Sequence, residues 1–88
     1  MELKNAAEKE IGRMKLVFEK LEVHHHDKKA SEFFDFAKRY FGDGEWFLDK
    51  GKHLEAFEAA IIAWAYIDAG MKLGFFSVPK ELKVNFTA

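Results

Sequence analysis

The chain has 88 residues, with 49% hydrophobic residues, 16% aromatic residues and a net charge of −1 from 14 basic and 15 acidic side chains. A chain of this length and apolar content is typical of a single folded domain, and its composition disfavours disorder over most of its length. The balanced charge argues against binding nucleic acid by phosphate neutralisation, and the absence of cysteine excludes disulfides, zinc–thiolate sites and thiol nucleophiles.

The first helix is predicted over about residues 2–23. Apolar residues recur there at steps of three and four, which places them on one stripe of a helix. They are Leu3, Ala7, Ile11, Met14, Phe18 and Leu21. The amino-terminal stretch MELKNAAEKE is charged and has no apolar signal core, so we expect a cytoplasmic protein.

The polar stretch HHHDKKA follows the first helix and raises the question of a metal site. Three successive histidines, His24 to His26, point about 100° apart on a helix and cannot converge on one ion unless the chain unwinds. In a loop, two imidazoles and Asp27 could bind Zn²⁺ or Ni²⁺. Solvated histidines are the simpler interpretation, and we predict neither a metal nor another cofactor.

The second helix is predicted over about residues 31–49, with Ser31 as its N-cap and Gly51 as its left-handed stop. Two glycines interrupt it, in the stretch Gly42–Gly44, and a break there would give four shorter helices. Continuity is favoured because the buried line stays in phase across the stretch. Gly44 lies on that line and is predicted to face the alanines at residues 59 and 60.

Trp46 lies on the opposite side of the second helix. By helical projection it points about 160° away from the buried line, together with charged residues. We therefore predict that Trp46 is exposed, and an exposed tryptophan is a common anchor of a protein interface.

The third helix is predicted over about residues 52–73 and closed by Gly74. Its predicted core stripe is Leu54, Phe57, Ile61, Trp64, Asp68 and Met71. Roughly opposite lies a second apolar stripe, formed by Ile62, Tyr66 and Leu73 with small residues between them. A helix that is apolar on every side needs cover on every side. Its longest apolar run, residues 59–67, is far shorter than the roughly 20 residues of a membrane span.

The predicted fold is all-α: an up-down-up three-helix bundle over residues 1–74, followed by a partly ordered C-terminal tail over residues 75–88. Two connections between long helices are short, which favours antiparallel neighbours. The second stripe of the third helix is then covered either by the apolar residues of the tail or by a second chain. The two can coexist, since a tail can exchange between protomers.

Asp68 is a carboxylate on the predicted core stripe, so it needs a partner. The candidates are Lys72 one turn further on, the indole N–H of Trp64 one turn back, and His25 at the same end of the bundle. The simpler interpretation is a structural acid that ties helices together. The alternative is a small ligand- or metal-binding domain with a polar pocket around Asp68 and His25.

The segment from Phe47 to Gly74 resembles an archaeal family of small proteins, domain of unknown function family 357. The shared pattern is an aromatic-rich helix, a turn, Glu-Ala-Phe at residues 55–57, and then Tyr66, Asp68, Ala69, Gly70, Leu73 and Gly74. The resemblance implies a three-helix bundle and an archaeal, intracellular origin, and it implies no activity.

A non-catalytic module that binds another protein or itself is the function that these features favour. Catalysis is disfavoured because no serine, histidine and acid are suitably spaced and no glycine loop opens a helix. The predicted interaction surface comprises Trp46, Ile62, Tyr66 and Leu73. We expect a protein partner or a homo-oligomer, and neither nucleic acid nor a membrane.

Overall fold

The computed structural model describes residues 2–24 and 27–86, and the side chains of residues 2–24 and 27–83. Its elements are α1 (Glu2–Lys20), β1 (Glu22–Val23), α2 (Lys28–Asp49), α3 (His53–Lys72), β2 (Phe76–Ser77) and a 3₁₀ helix (Lys80–Phe86). The predicted all-α class and three-helix bundle are confirmed, with α2 and α3 as the most extensively packed pair. Within the described ranges, no helix has both the length and the apolar character needed to cross a bilayer.

The first helix ends at Lys20, earlier than predicted. The residues that follow form β1, which pairs antiparallel with β2 so that Glu22 lies opposite Ser77 and Val23 opposite Phe76. The N–H of His24 extends the pairing by donating to the carbonyl of Phe75 at 2.9 Å. The prediction of helix as far as Val23 is wrong because these backbone groups find partners in the tail.

The second helix begins at Lys28 and runs without a break to Asp49. Its N-cap is Asp27, whose side chain accepts a hydrogen bond from the N–H of Lys29 at 2.9 Å, so the prediction of Ser31 as the cap is wrong. The predicted continuity through the glycine stretch is confirmed. Gly44 is buried, and a Cβ there would lie 3.6 Å from the Cβ of Ala59 and 2.7 Å from Cδ1 of Ile11.

Both predicted glycine stops are present. The backbone φ is 74° at Gly51 and 78° at Gly74, in the left-handed region that glycine adopts without steric penalty. In each case the N–H of the next residue donates to a carbonyl five residues back: Lys52 to Phe47 at 2.9 Å, and Phe75 to Gly70 at 2.8 Å. These bonds end both helices in the arrangement known as the Schellman motif.

The buried side of α3 differs from the predicted one. Its buried residues are mostly small: Ala56, Ala59, Ala60, Ala63, Ile67 and Gly70. Leu54 and Ile61, which lie on the predicted core stripe, are 53% and 45% exposed. A helix that is apolar all round carries no periodic signal that fixes its rotation. Close packing decides instead, because small side chains let two helix axes approach and larger ones are displaced to the flanks.

The tail contributes to the core of the bundle. Phe76, Val78 and Leu82 are buried. They belong to one cluster with Met14, Val17, Ala37, Ala63 and Ile67. The ring of Phe76 lies directly against Gly70. The tail therefore folds back onto α3, which is the first of the two predicted kinds of cover. Ile62 and Leu73 nevertheless stay 40% and 59% exposed.

We expect Gly70→Ala to lower the free energy of unfolding by about 1 kcal/mol. The new Cβ would overlap the Phe76 ring, and overpacking of roughly 1–3 kcal/mol outweighs the roughly 1 kcal/mol that alanine gains in helix propensity. Gly42→Ala is the matched control, because a Cβ at this exposed position of α2 meets nothing within 4 Å. Urea denaturation should show the control unchanged or stabilised. Equal stability of the two variants would contradict the packing of the tail on α3.

Candidate interaction surface

Exposed large apolar side chains are concentrated on the α2–α3 pair. Among the described residues they comprise Leu16 of α1 and six in or at the end of α2 and α3: Phe36, Trp46, Leu54, Ile61, Ile62 and Leu73. Single exposed apolar residues are ordinary, so a binding surface requires several of them on one face of a helix or beside a groove.

Three of the four residues predicted to form an interaction surface face solvent. Trp46 is 54% exposed, as expected, and its ring packs edge-on against Phe47, with the Lys50 ammonium 5.6 Å from the ring centroid. Ile62 and Leu73 lie on the flank of α3 that faces α2, where helical projection places them about 20° apart. Their exposure makes them available to a partner.

Tyr66, the fourth predicted residue, is half-buried. Its ring stacks on those of Phe36 and Tyr40, with centroids 5.4 Å and 6.0 Å away, and meets the edge of Phe33 at 5.8 Å. Aromatic pairs at these distances add stability beyond their buried area. Tyr66 therefore packs against α2, and its ring is less available to a partner than the exposed residues are.

A groove of about 240 Å³ lies between α2 and α3. Apolar side chains and carboxylates line it together: Tyr40, Phe47, Ala59 and Ile62 are apolar or aromatic, and Asp43, Glu55 and Glu58 are acidic. Carboxylates of both helices beside an apolar groove repel anionic ligands and attract cationic ones. The groove adjoins Ile62, which the sequence placed on the interaction surface.

Sequence reasoning missed the acidic side chains of this groove. On α2, Asp43 lies one turn from Tyr40 and from Phe47. On α3, Glu58 lies one turn and Glu55 two turns before Ile62. These spacings are visible in the sequence. Their convergence depends on how α3 is rotated and aligned against α2, which the apolar pattern of α3 does not reveal.

Asp68 is not the buried acid that the sequence predicted. Its carboxylate accepts a hydrogen bond from Nζ of Lys72 at 2.8 Å, and the two side chains are 35% and 66% exposed. Of the candidate partners that the structure describes, Lys72 is therefore the one that pairs with Asp68, and the prediction that both side chains are buried is wrong. The rotation of α3 explains the difference, because it turns small residues inward and moves Asp68 to the flank.

The Trp64 indole, proposed as a donor to Asp68, bonds to α1. Its Nε1–H donates to Oε1 of Glu10 at 3.1 Å. The guanidinium of Arg13 lies 3.3 Å from Oε2 of the same Glu10 and 5.7 Å from the centroid of the Trp64 ring. These contacts connect α1 to α3 on the side away from the groove.

The predicted polar pocket around Asp68 and His25 stays a prediction, because His25 and His26 lie outside the described residues. The described neighbours have structural contacts: the N–H of His24 bonds to the tail, and Asp27 caps α2. In the described ranges, no group of three histidine or acidic side chains is placed to hold a metal ion.

The three packed helices and the groove between α2 and α3 define a small helical protein. The model of a family described as protein of unknown function, DUF357, matches residues 4–76, and the chain belongs to this family. It is similar to the crystal structure of protein AF1782 from Archaeoglobus fulgidus, also assigned to DUF357. The TM-score is 0.75, with 27% sequence identity, 89% of this chain covered and 95% of that one. No curated protein matches the chain. The predicted family is confirmed, and the match extends into α1.

Asp68→Asn should lower the free energy of unfolding by no more than about 0.5 kcal/mol. Exposed ion pairs one helical turn apart contribute only that much, and solvent screens this one. The adjacent Ile67 is fully buried, so Ile67→Ala should cost about 2–5 kcal/mol in the same urea titration. A loss above about 2 kcal/mol for Asp68→Asn would indicate that the carboxylate is buried after all.

Proposed function

We propose that this protein is a non-catalytic interaction module that binds a protein partner in the groove between α2 and α3. The observation that carries the proposal is an open groove between α2 and α3 whose apolar lining includes the exposed Ile62. Complete burial of one large apolar side chain contributes about 1.5–3 kcal/mol. A partner that covers Ile62 and the groove would therefore be stabilised by burying apolar surface that is exposed in the monomer.

The charges of the groove indicate the chemistry of the partner. Asp43 contributes a carboxylate from α2, and Glu55 and Glu58 contribute two from α3. A segment that inserts an apolar side chain between them is favoured if lysine or arginine flanks that side chain. Phosphate groups are disfavoured at the same place, which agrees with the expectation that nucleic acid is not the partner.

The rival hypothesis of a ligand- or metal-binding domain depends on Asp68. A side chain that is 35% exposed and already paired with Lys72 is poorly suited to a desolvated polar pocket. The groove, in contrast, lies open between two helices and is lined by apolar side chains as well as carboxylates. We therefore favour protein binding over small-molecule chemistry.

Site-specific photo-cross-linking tests this function. A photoreactive amino acid at Ile62, introduced in cells that make the protein naturally, should give a discrete adduct with one protein, identified by mass spectrometry. The exposed position of Lys4 on α1 is the control and should give at least five-fold less of it. Asp43→Asn with Glu55→Gln should reduce the Ile62 adduct several-fold, because the cationic partner loses its counter-charges.

Equal labelling from Ile62 and Lys4 would contradict the proposal. So would an Ile62 adduct whose yield is unchanged when the two carboxylates are neutralised.

A further inference from the structure

A second surface of α3 lies on its solvent side. We define the outer face as Leu54, Glu58, Ile61, Ala65 and Lys72, all exposed. The first four follow one another at steps of four, three and four residues, and Lys72 is seven residues beyond Ala65. Asp68, the ion-pair partner of Lys72 at 2.8 Å, occupies the seam position between them. This is the spacing of a coiled-coil seam, in which one helix packs along another. Of these residues, only Glu58 also lines the groove.

The charges on the outer face distinguish between the possible arrangements of two copies. Glu58 lies in the amino-terminal half of α3, and Lys72 is its last residue. Two parallel copies would place Glu58 against Glu58 and Lys72 against Lys72. Two antiparallel copies place each Glu58 opposite a Lys72, and they also align the helix dipoles favourably.

Steric fit selects the same register. If Glu58 faces Lys72, the two-fold axis passes through the residue midway between them, which is Ala65. A small side chain at the crossing point lets two helices approach closely. Four residues to either side, the large Ile61 of one copy then meets the small Ala69 of the other, so the faces interdigitate.

We infer that the outer face of α3 binds the same face of a second copy of this chain, antiparallel and centred on Ala65. The inference goes beyond the proposed function because its two-fold axis lies at Ala65, outside the groove, although the two surfaces share Glu58. The disulfide test at Ala65 involves no groove residue, so either proposal can fail without the other. Closed two-fold dimers are the commonest homo-oligomers. Because one helix face buries less than the roughly 1,200 Å² of a standard interface, we expect a weak dimer with a micromolar dissociation constant.

Disulfide trapping tests the crossing point directly, because the chain contains no cysteine. A Cys introduced by Ala65→Cys would face its own copy across the two-fold axis, within the short Cα–Cα range that a disulfide needs. Mild oxidation at micromolar concentration should link Ala65→Cys at least ten-fold faster than the control Lys38→Cys, which is exposed on α2. Equal rates would overturn the inference.

Charge exchange tests the orientation by sedimentation velocity. Glu58→Lys and Lys72→Glu should each raise the dissociation constant of the dimer at least ten-fold, because each places like charges opposite one another. The double variant should return to within about three-fold of the original protein. Helical content by circular dichroism shows that each variant is folded.

A protein that sediments as a monomer up to millimolar concentration would overturn the inference, as would a double variant no better than the single ones. An Ile62 adduct with a different protein would still support the proposed function in either case. Failure of the dimer can therefore be distinguished from failure of the proposed function.

Discussion

At the centre of the bundle, α2 approaches α3 where neither helix carries a large side chain. A Cβ added to Gly44 would lie 3.6 Å from the Cβ of Ala59 and 3.5 Å from the carbonyl oxygen of Ala56. Because this close contact occupies the inward side of α3 with small residues, the larger ones are displaced to its flanks. Ile62 and Tyr66 then border the α2 side, and Leu54 and Ile61 face outward. Both surfaces proposed for binding follow from that displacement.

The extents of the helices could be predicted largely from the sequence, whereas the rotation of α3 about its own axis could not. Continuity of α2 across Gly42 and Gly44 was predictable because the apolar line stays in phase, and the stops at Gly51 and Gly74 have a local cause in the left-handed backbone. The rotation of α3 was not predictable, because apolar residues surround that helix and tertiary packing alone decides which side is buried. The local sequence does not decide the start of α2, because Asp27 and Ser31 can both cap a helix.

The candidate site divides in the same way. Exposure of Trp46 could be predicted because α2 has a strong polar side, on which this residue lies. Asp68 was misplaced because its predicted burial rested on the wrong rotation of α3. The acidic groove could not be predicted from one helix alone, because no local pattern indicates that Asp43 and Glu55 line the same cleft. Residues that meet across elements are the part of a binding site that a single sequence hides.

The pairing of β1 with β2 has a consequence for the order of folding. It joins residues 22–23 to residues 76–77, so it closes a loop that contains all of α2 and α3. Closing so long a loop is entropically unfavourable until the helices within it have already formed and packed. The α2–α3 hairpin, with its local contacts, should therefore assemble first. Since Leu82 belongs to the buried cluster, the core cannot close until this residue has left the ribosome.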